Sequence, residues 1–394
     1  MKKLLFTIIS FTALSCNANT NDKQLSEQKP VQENDIILEV SPYIDQESEI
    51  NQKLIRTLSE FFKTKKDSLT ENKYWLSSDF KEFIVPFQNI SSPYYGGGKY
   101  DEYYTFYPSL IQIIKIKSEN KWLLKVAFMQ KYSEEEKDTH TLLGIYNFVA
   151  QQKDENIYLS RYITQATKDW QEIKTDYITY KISPLKSPNQ SEILQQKKDI
   201  EKIINFFETQ PIPVTYYSCK NPKEVFEIKG FDYDPNMYVS ESGGFAEYGN
   251  IIISGNNSEV YTHEMVHIYI MNLFPNKHRY LEEGLSTYIG GSGFNSYKWH
   301  REKLKKFFDE NIEFKIEEHT NPYEGIYFEK ETPVLYLIPA LICERTIRLY
   351  GKEKLFEIFK KEADLWDLLS EVGLTKENIK KELIKELTQK PLLL

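Results

Sequence analysis

Asn256-Asn257-Ser258-Glu259-Val260-Tyr261-Thr262-His263-Glu264-Met265-Val266-His267 is the stretch that decides how this chain folds. Asn256 and Glu259 stand at capping-box spacing, so a helix is expected to begin near residues 256–259. His263 and His267 are four positions apart. On a helix both imidazoles then share a face and can reach one ion. Zinc takes nitrogen ligands at about 2.0–2.1 Å, and two adjacent turns supply that convergence. Glu264 sits beside such an ion, where it can accept a proton from water. The competing reading is a helix whose two histidines pack or cap without metal.

Two histidines do not complete a zinc site. Tyr280-Leu281-Glu282-Glu283-Gly284-Leu285-Ser286 offers two carboxylates. One residue rotates about 100° around a helix, so only one of Glu282 and Glu283 can face the ion. Here the chain resembles the gluzincin metallopeptidases, the group that contains thermolysin and aminopeptidase N. Many members carry the last ligand as the Glu of a Leu-x-Glu-Gly-aromatic/Leu-Ala pattern on a second helix. Leu281 to Ser286 matches, with Ser286 in place of Ala, and the resemblance implies Glu283 as third ligand to one zinc ion per chain. Fifteen residues separate His267 from Glu283. That gap is shorter than in those two relatives and implies a tight turn at Phe274-Pro275-Asn276-Lys277. A metzincin site would need a further histidine and glycine soon after His267. His278 follows a proline without that pattern.

The same resemblance extends to Tyr336-Leu337-Ile338-Pro339-Ala340 and Leu349-Tyr350-Gly351, where the first tyrosine often donates to the oxyanion of the tetrahedral intermediate. It implies Tyr336 in that role, with Tyr327 as second choice. With 28 tyrosines in the chain, packing is the competing reading for either. Gluzincins also commonly bind peptide along an exposed edge strand ahead of the zinc helix. Gly243-Gly244-Phe245-Ala246-Glu247 occupies that place, and a turn and core strand is the plainer reading.

Upstream, TDYITYKISP from Thr175, PVTYYSC from Pro213 and NIIIS from Asn250 read as strands, and Ser191 to Glu208 as a helix. Beyond His267 the pattern is mainly helical. A separate unit is expected over 41–175. It opens with a helix over 49–63, with Ile50, Leu54, Leu58, Phe61 and Phe62 at helical spacing. After Gly96-Gly97-Gly98, β-like runs start at Leu110, Trp122, Thr141 and Asn156. Short linkers at Glu119-Asn120 and Lys153-Asp154-Glu155 predict an antiparallel meander. In element order this unit resembles the NTF2-like fold. His140 stands alone and reads as a surface histidine. The fold class expected is α+β: a helix with an antiparallel sheet, then at 176–394 a thermolysin-like, gluzincin domain with a small mixed sheet, zinc helix and helical subdomain.

Lys2 and Lys3, the apolar run Leu4 to Leu14, and Ser15-Cys16 read as an export signal over 1–15. Eleven residues cannot span a bilayer, which needs about 20. Ala13-Leu14-Ser15-Cys16 resembles a bacterial lipobox, with Ala13 where Leu is usual, and implies lipidation of Cys16. Ordinary secretory cleavage is the alternative. The polar residues 16–40 read as a tether. Cys219 and Cys343 fit no metal or redox spacing and read as buried thiols. A net charge of -8, from 50 basic and 58 acidic side chains, argues against a nucleic-acid partner.

The function expected is a zinc metallopeptidase, lipid-anchored in the bacterial cell envelope. Its partners are a peptide or protein substrate and the membrane, and Glu264 is its general base. The alternatives are a peptidase-like lipoprotein that binds a peptide or protein without cutting it, and a first unit that acts as a ligand-binding cup.

Overall fold

A computed structural model of the chain describes residues 38–64, 70–90, 106–117, 119–134 and 137–393. The signal stretch, Cys16, most of the tether, the Gly96-Gly97-Gly98 segment and the side chain of His140 lie outside the described residues. The first unit opens with strand β1 (Glu39–Val40) and helix α1 (Glu49–Phe62), which buries Leu54, Leu58, Phe61 and Phe62 at the expected spacing. Helix α2 (Ser77–Phe83) precedes β2 (Phe106–Ile116), β3 (Lys121–Glu134), β4 (Lys137–Lys153) and β5 (Asn156–Ser160). Strands β2 to β5 form the expected antiparallel meander, and β1 pairs parallel to β2.

The space between α1 and this sheet is filled by aromatic rings. Those of Phe62, Trp75, Phe87 and Phe148 lie 5.4, 5.6, 5.7 and 6.0 Å from Phe61. Tilted and edge-to-face pairs of this kind add about 0.5–1.5 kcal/mol each beyond area burial. Among the described residues, side chains fill the space between α1 and the sheet, which counts against a ligand-binding cup there. The run from Asn156 is a strand only as far as Ser160, and helix α3 (Tyr162–Ala166) takes over. Between them the Arg161 N–H donates to Asp79 Oδ2 at 2.8 Å, away from the sheet ladder.

The second sheet combines β6 (Gln171–Lys174), β7 (Ile178–Ile182), β8 (Val214–Ser218), β10 (Gly244–Glu247) and β11 (Ile251–Ser254) in the order β10-β11-β8-β7-β6. β7, β8 and β11 run parallel, and β6 and β10 close the two edges antiparallel, so the sheet is mixed. Helix α4 (Gln190–Phe207) follows β7, and helix α5 (Pro222–Lys229) follows β8. β6, ahead of the junction expected at 175–176, lies in this second sheet. β9 (Phe231–Tyr233), well after it, pairs with β4 of the first. Strand alternation sorts the side chains between two cores. Phe245, Tyr217, Ile251 and Ile253 join the aromatic core of the first unit. Tyr180, Tyr216, Ala246 and Ile252 face the helices that follow.

Those helices are α6 (Thr262–Leu273), α7 (Arg279–Gly290), α8 (Tyr297–Glu310), α9 (Val334–Tyr350), α10 (Lys352–Phe359), α11 (Leu365–Ser370) and α12 (Ile379–Leu387), with a hairpin of β12 (Tyr327–Phe328) and β13 (Thr332–Pro333) before α9. α6 and α7 are joined by the expected turn, closed by Lys277 N–H to Phe274 C=O at 3.3 Å. α7 meets α9 so closely that a Cβ on Gly284 would lie 2.5 Å from the carbonyl carbon of Pro339. Only glycine permits that approach. The class is α+β. Cys219 and Cys343 are free and buried, and burial pushes both thiols up. Among the described residues no helix is long and apolar enough to cross a membrane.

Buried charge ties the units together. Arg161 Nη2 and Lys229 Nζ each lie 2.8 Å from the Glu247 carboxylate, which is 1% exposed at the end of β10. Burial alone would raise the Glu247 pKa, but Lys229 and Arg161 outweigh it and hold it at about 2. Removing one partner of a buried pair typically costs about 3–5 kcal/mol, because it leaves the others uncompensated. Glu247→Ala is expected to lower stability by about that amount, read as the shift of the urea unfolding curve. A change under about 0.5 kcal/mol would remove this cluster from the fold's supports.

Candidate metal centre

Helix α6 begins at Thr262, later than the capping-box spacing predicts, and Tyr261 at its N-cap makes no side-chain cap. The expected capping residues are used elsewhere. Asn256 Oδ1 accepts from Gly243 N–H at 2.7 Å, and buried Glu259 pairs with Lys186 at 2.6 Å. Helix α4 supplies the missing acceptors. Gln196 Oε1 takes the Tyr261 N–H at 2.6 Å, and Asp199 Oδ2 the Thr262 hydroxyl at 3.0 Å. The helix start is thus anchored by a neighbouring element, a solution that local spacing cannot reveal.

His263, Glu264 and His267 are all buried on α6, and Glu283 on α7 faces them. His263 Nε2 and His267 Nε2 are 3.1 Å apart, and each lies 3.4 Å from Glu283 Oε2. A tetrahedral ion about 2.0–2.1 Å from each ligand spaces those ligands about 3.3–3.4 Å apart. The three side chains therefore fit one small cation, and two imidazoles with a carboxylate suit zinc. No other group of three or more such residues comes together among the described residues.

The rear nitrogen of each ring is engaged. His263 Nδ1 lies 2.8 Å from Gly291 C=O, and His267 Nδ1 lies 3.2 Å from Glu282 Oε1. Donation from Nδ1 leaves the Nε2 lone pairs turned toward Glu283, the usual outer-sphere arrangement for metal-binding histidines. Glu282 and Glu283 thus divide the work: Glu282 orients a ring from behind, and Glu283 meets both rings in front. Burial opposes charge on His267, but Glu283 and Glu282 outweigh it and raise its pKa. Burial also works against the Glu283 carboxylate, and the two imidazoles overcome it and lower its pKa.

Glu264 points to the second sheet. Its Oε2 accepts from the Ala246 N–H at 2.8 Å, and β10 is the edge strand. Burial raises its pKa most, His267 and His263 oppose the rise, and Glu283 adds to it. Tyr336, in the first turn of α9, is buried and stacks on His263, with ring centroids 6.0 Å apart and planes 11° apart. Tyr327 is half-buried on β12. His278 is the N-cap of α7, its Nδ1 accepting from the Tyr280 N–H at 3.2 Å.

Three contributors are absent from the sequence reading. Tyr323 donates its hydroxyl to Glu283 Oε1 at 2.8 Å, Arg279 Nε donates to that hydroxyl at 2.6 Å, and Gly291 supplies the carbonyl for His263. Arg279 had a local signal, since it lies one helical turn before Glu283. Tyr323 had none, because its partner is 40 residues away. No model of a known family matches the chain, and no curated protein matches it.

The α6–α7 contact depends on Gly290, where a Cβ would lie 2.4 Å from the His263 backbone nitrogen. Gly290→Ala must push the helices apart, at a cost of about 1–3 kcal/mol. The expected outcome is a lower unfolding midpoint together with weaker metal retention in dialysis against a chelator. Retention equal to that of the unmodified chain would show that the site tolerates the displacement.

Proposed function

We propose that this chain is a zinc metallopeptidase that hydrolyses peptide bonds. The observation that carries the reading is the meeting of three ligand atoms at 3.1–3.4 Å beside a glutamate held by an edge strand. The resemblance to gluzincins in His263-Glu264-x-x-His267 and Glu283-Gly284 supports it independently of the geometry. His263, His267 and Glu283 would hold the zinc ion. When bound, the ion supplies Lewis-acid activation of water and of the scissile carbonyl.

The chain's own groups do the rest. Glu264 takes the proton of the attacking water on its carboxylate and returns it to the leaving amine. The Ala246 N–H holds that carboxylate in place. Strand β10 has no strand on its outer side, and an extended peptide can join it there by strand addition beside the Ala246 N–H that Glu264 takes. Tyr336, stacked against His263, is the candidate donor to the oxyanion. The lipobox resemblance at Cys16 supports anchoring to a bacterial envelope membrane.

Two measurements test this. Zinc content of the purified chain is expected at about one per chain, lost in Glu283→Ala and retained, at weaker affinity, in Glu282→Ala. Equal loss in both variants, or none, would overturn the division of roles between the two carboxylates. Glu264→Gln is expected to keep its zinc and to lose about 10²–10⁴-fold in the hydrolysis of an unstructured protein substrate. Full hydrolysis by that variant would remove Glu264 as the base.

A further inference from the structure

Tyr323 sits in Asn321-Pro322-Tyr323-Glu324-Gly325, far in sequence from the ligands, yet its geometry is tightly fixed. Asn321 Oδ1 caps the turn by accepting the Tyr323 N–H at 3.1 Å. Pro322 presets the first backbone angle, and Gly325 leaves the turn at φ 72°. The turn thereby presents the Tyr323 ring to α7. Arg279, in the first turn of α7, lies over that ring with its guanidinium carbon 4.6 Å from the centroid. Its Nε donates to the Tyr323 hydroxyl at 2.6 Å, and the hydroxyl donates onward to Glu283 Oε1 at 2.8 Å.

Each step has a fixed direction. A guanidinium only donates, so the tyrosine oxygen must accept from it and spend its own proton on the carboxylate. A hydroxyl polarised by a cation is a stronger donor than a bare phenol. Oε1 is therefore occupied, and Oε2, the oxygen facing both imidazoles, is the one presented to a metal. We propose that Tyr323, polarised by Arg279, is a positioning residue for the metal. It holds Glu283 as a one-oxygen ligand and thereby sets the site's affinity. This rests on the metal-binding reading above and extends it to a residue of the segment between α8 and α9.

The test is zinc affinity by chelator competition on the full chain, together with the unfolding midpoint of each metal-free protein. Outer-sphere partners of this kind are worth about 10–100-fold in metal affinity. Tyr323→Phe, which removes one oxygen, is expected to weaken zinc binding by about that factor, a loss larger than any fall in its metal-free midpoint accounts for. Arg279→Lys keeps the charge but loses the stacked fork. It is expected to weaken binding less, and the double variant to lose less than the sum of the two single losses, because Arg279 acts mainly through the hydroxyl. Affinity of Tyr323→Phe within about twofold of the unmodified chain would overturn the proposal while leaving the metal site standing. Additive losses, or a loss that merely follows a lowered metal-free midpoint, would overturn it too. An unmodified chain that binds no zinc overturns both this proposal and the metal reading.

Discussion

Three electron-rich atoms meeting inside a protein is a costly arrangement. His263 Nε2, His267 Nε2 and Glu283 Oε2 lie 3.1–3.4 Å from one another, and all three residues are buried. Lone pairs at that distance repel unless positive charge lies among them, and a buried carboxylate carries a desolvation penalty of several kcal/mol. The rings cannot relieve the conflict by turning round, because Gly291 and Glu282 engage both Nδ1 atoms. A cation in the middle, whether proton or metal, is what makes the arrangement stable.

Much of the surrounding architecture follows from holding that convergence. His263 and His267 on α6 can meet Glu283 on α7 only if the helices touch, and glycine lies where α7 packs closest on its neighbours. Gly290 meets the backbone of His263, and Gly284 meets Pro339 of α9. The start of α6 is fixed by Gln196 and Asp199 of α4 instead of by its own residues. Glu192 of the same helix accepts the Glu259 N–H at 2.8 Å, so one face of α4 organises the loop that leads into the site.

What the sequence made legible and what it hid divide along a physical line. The histidine pair, the hairpins β2 to β5 and the burial of α1 rest on periodicities of four and two residues, which local geometry enforces. The choice between Glu282 and Glu283 needed a resemblance, because one position of helical rotation separates two roles at the same ring. The spacing of Asn256 and Glu259 places the start of α6 too early, because both side chains have better partners elsewhere. β9 joins the first sheet by pairing with a strand more than 80 residues earlier, and Tyr323 reaches Glu283 across 40. Contacts at that range leave no mark in a local pattern.

Alternation along β10 links the aromatic unit to the site. Phe245 packs into the core of the first unit, where Lys229 Nζ lies 3.7 Å from its ring centroid. Glu247 turns the same way, into Arg161 and Lys229. Ala246, between them, points its N–H to Glu264. A one-residue slip of this strand would exchange the two faces, placing a carboxylate and a phenyl ring where the helices now pack. A slip would also carry Glu247 away from Arg161 and Lys229, so the buried charges favour this register. By fixing Glu247 and Phe245, the first unit fixes the donor that holds Glu264.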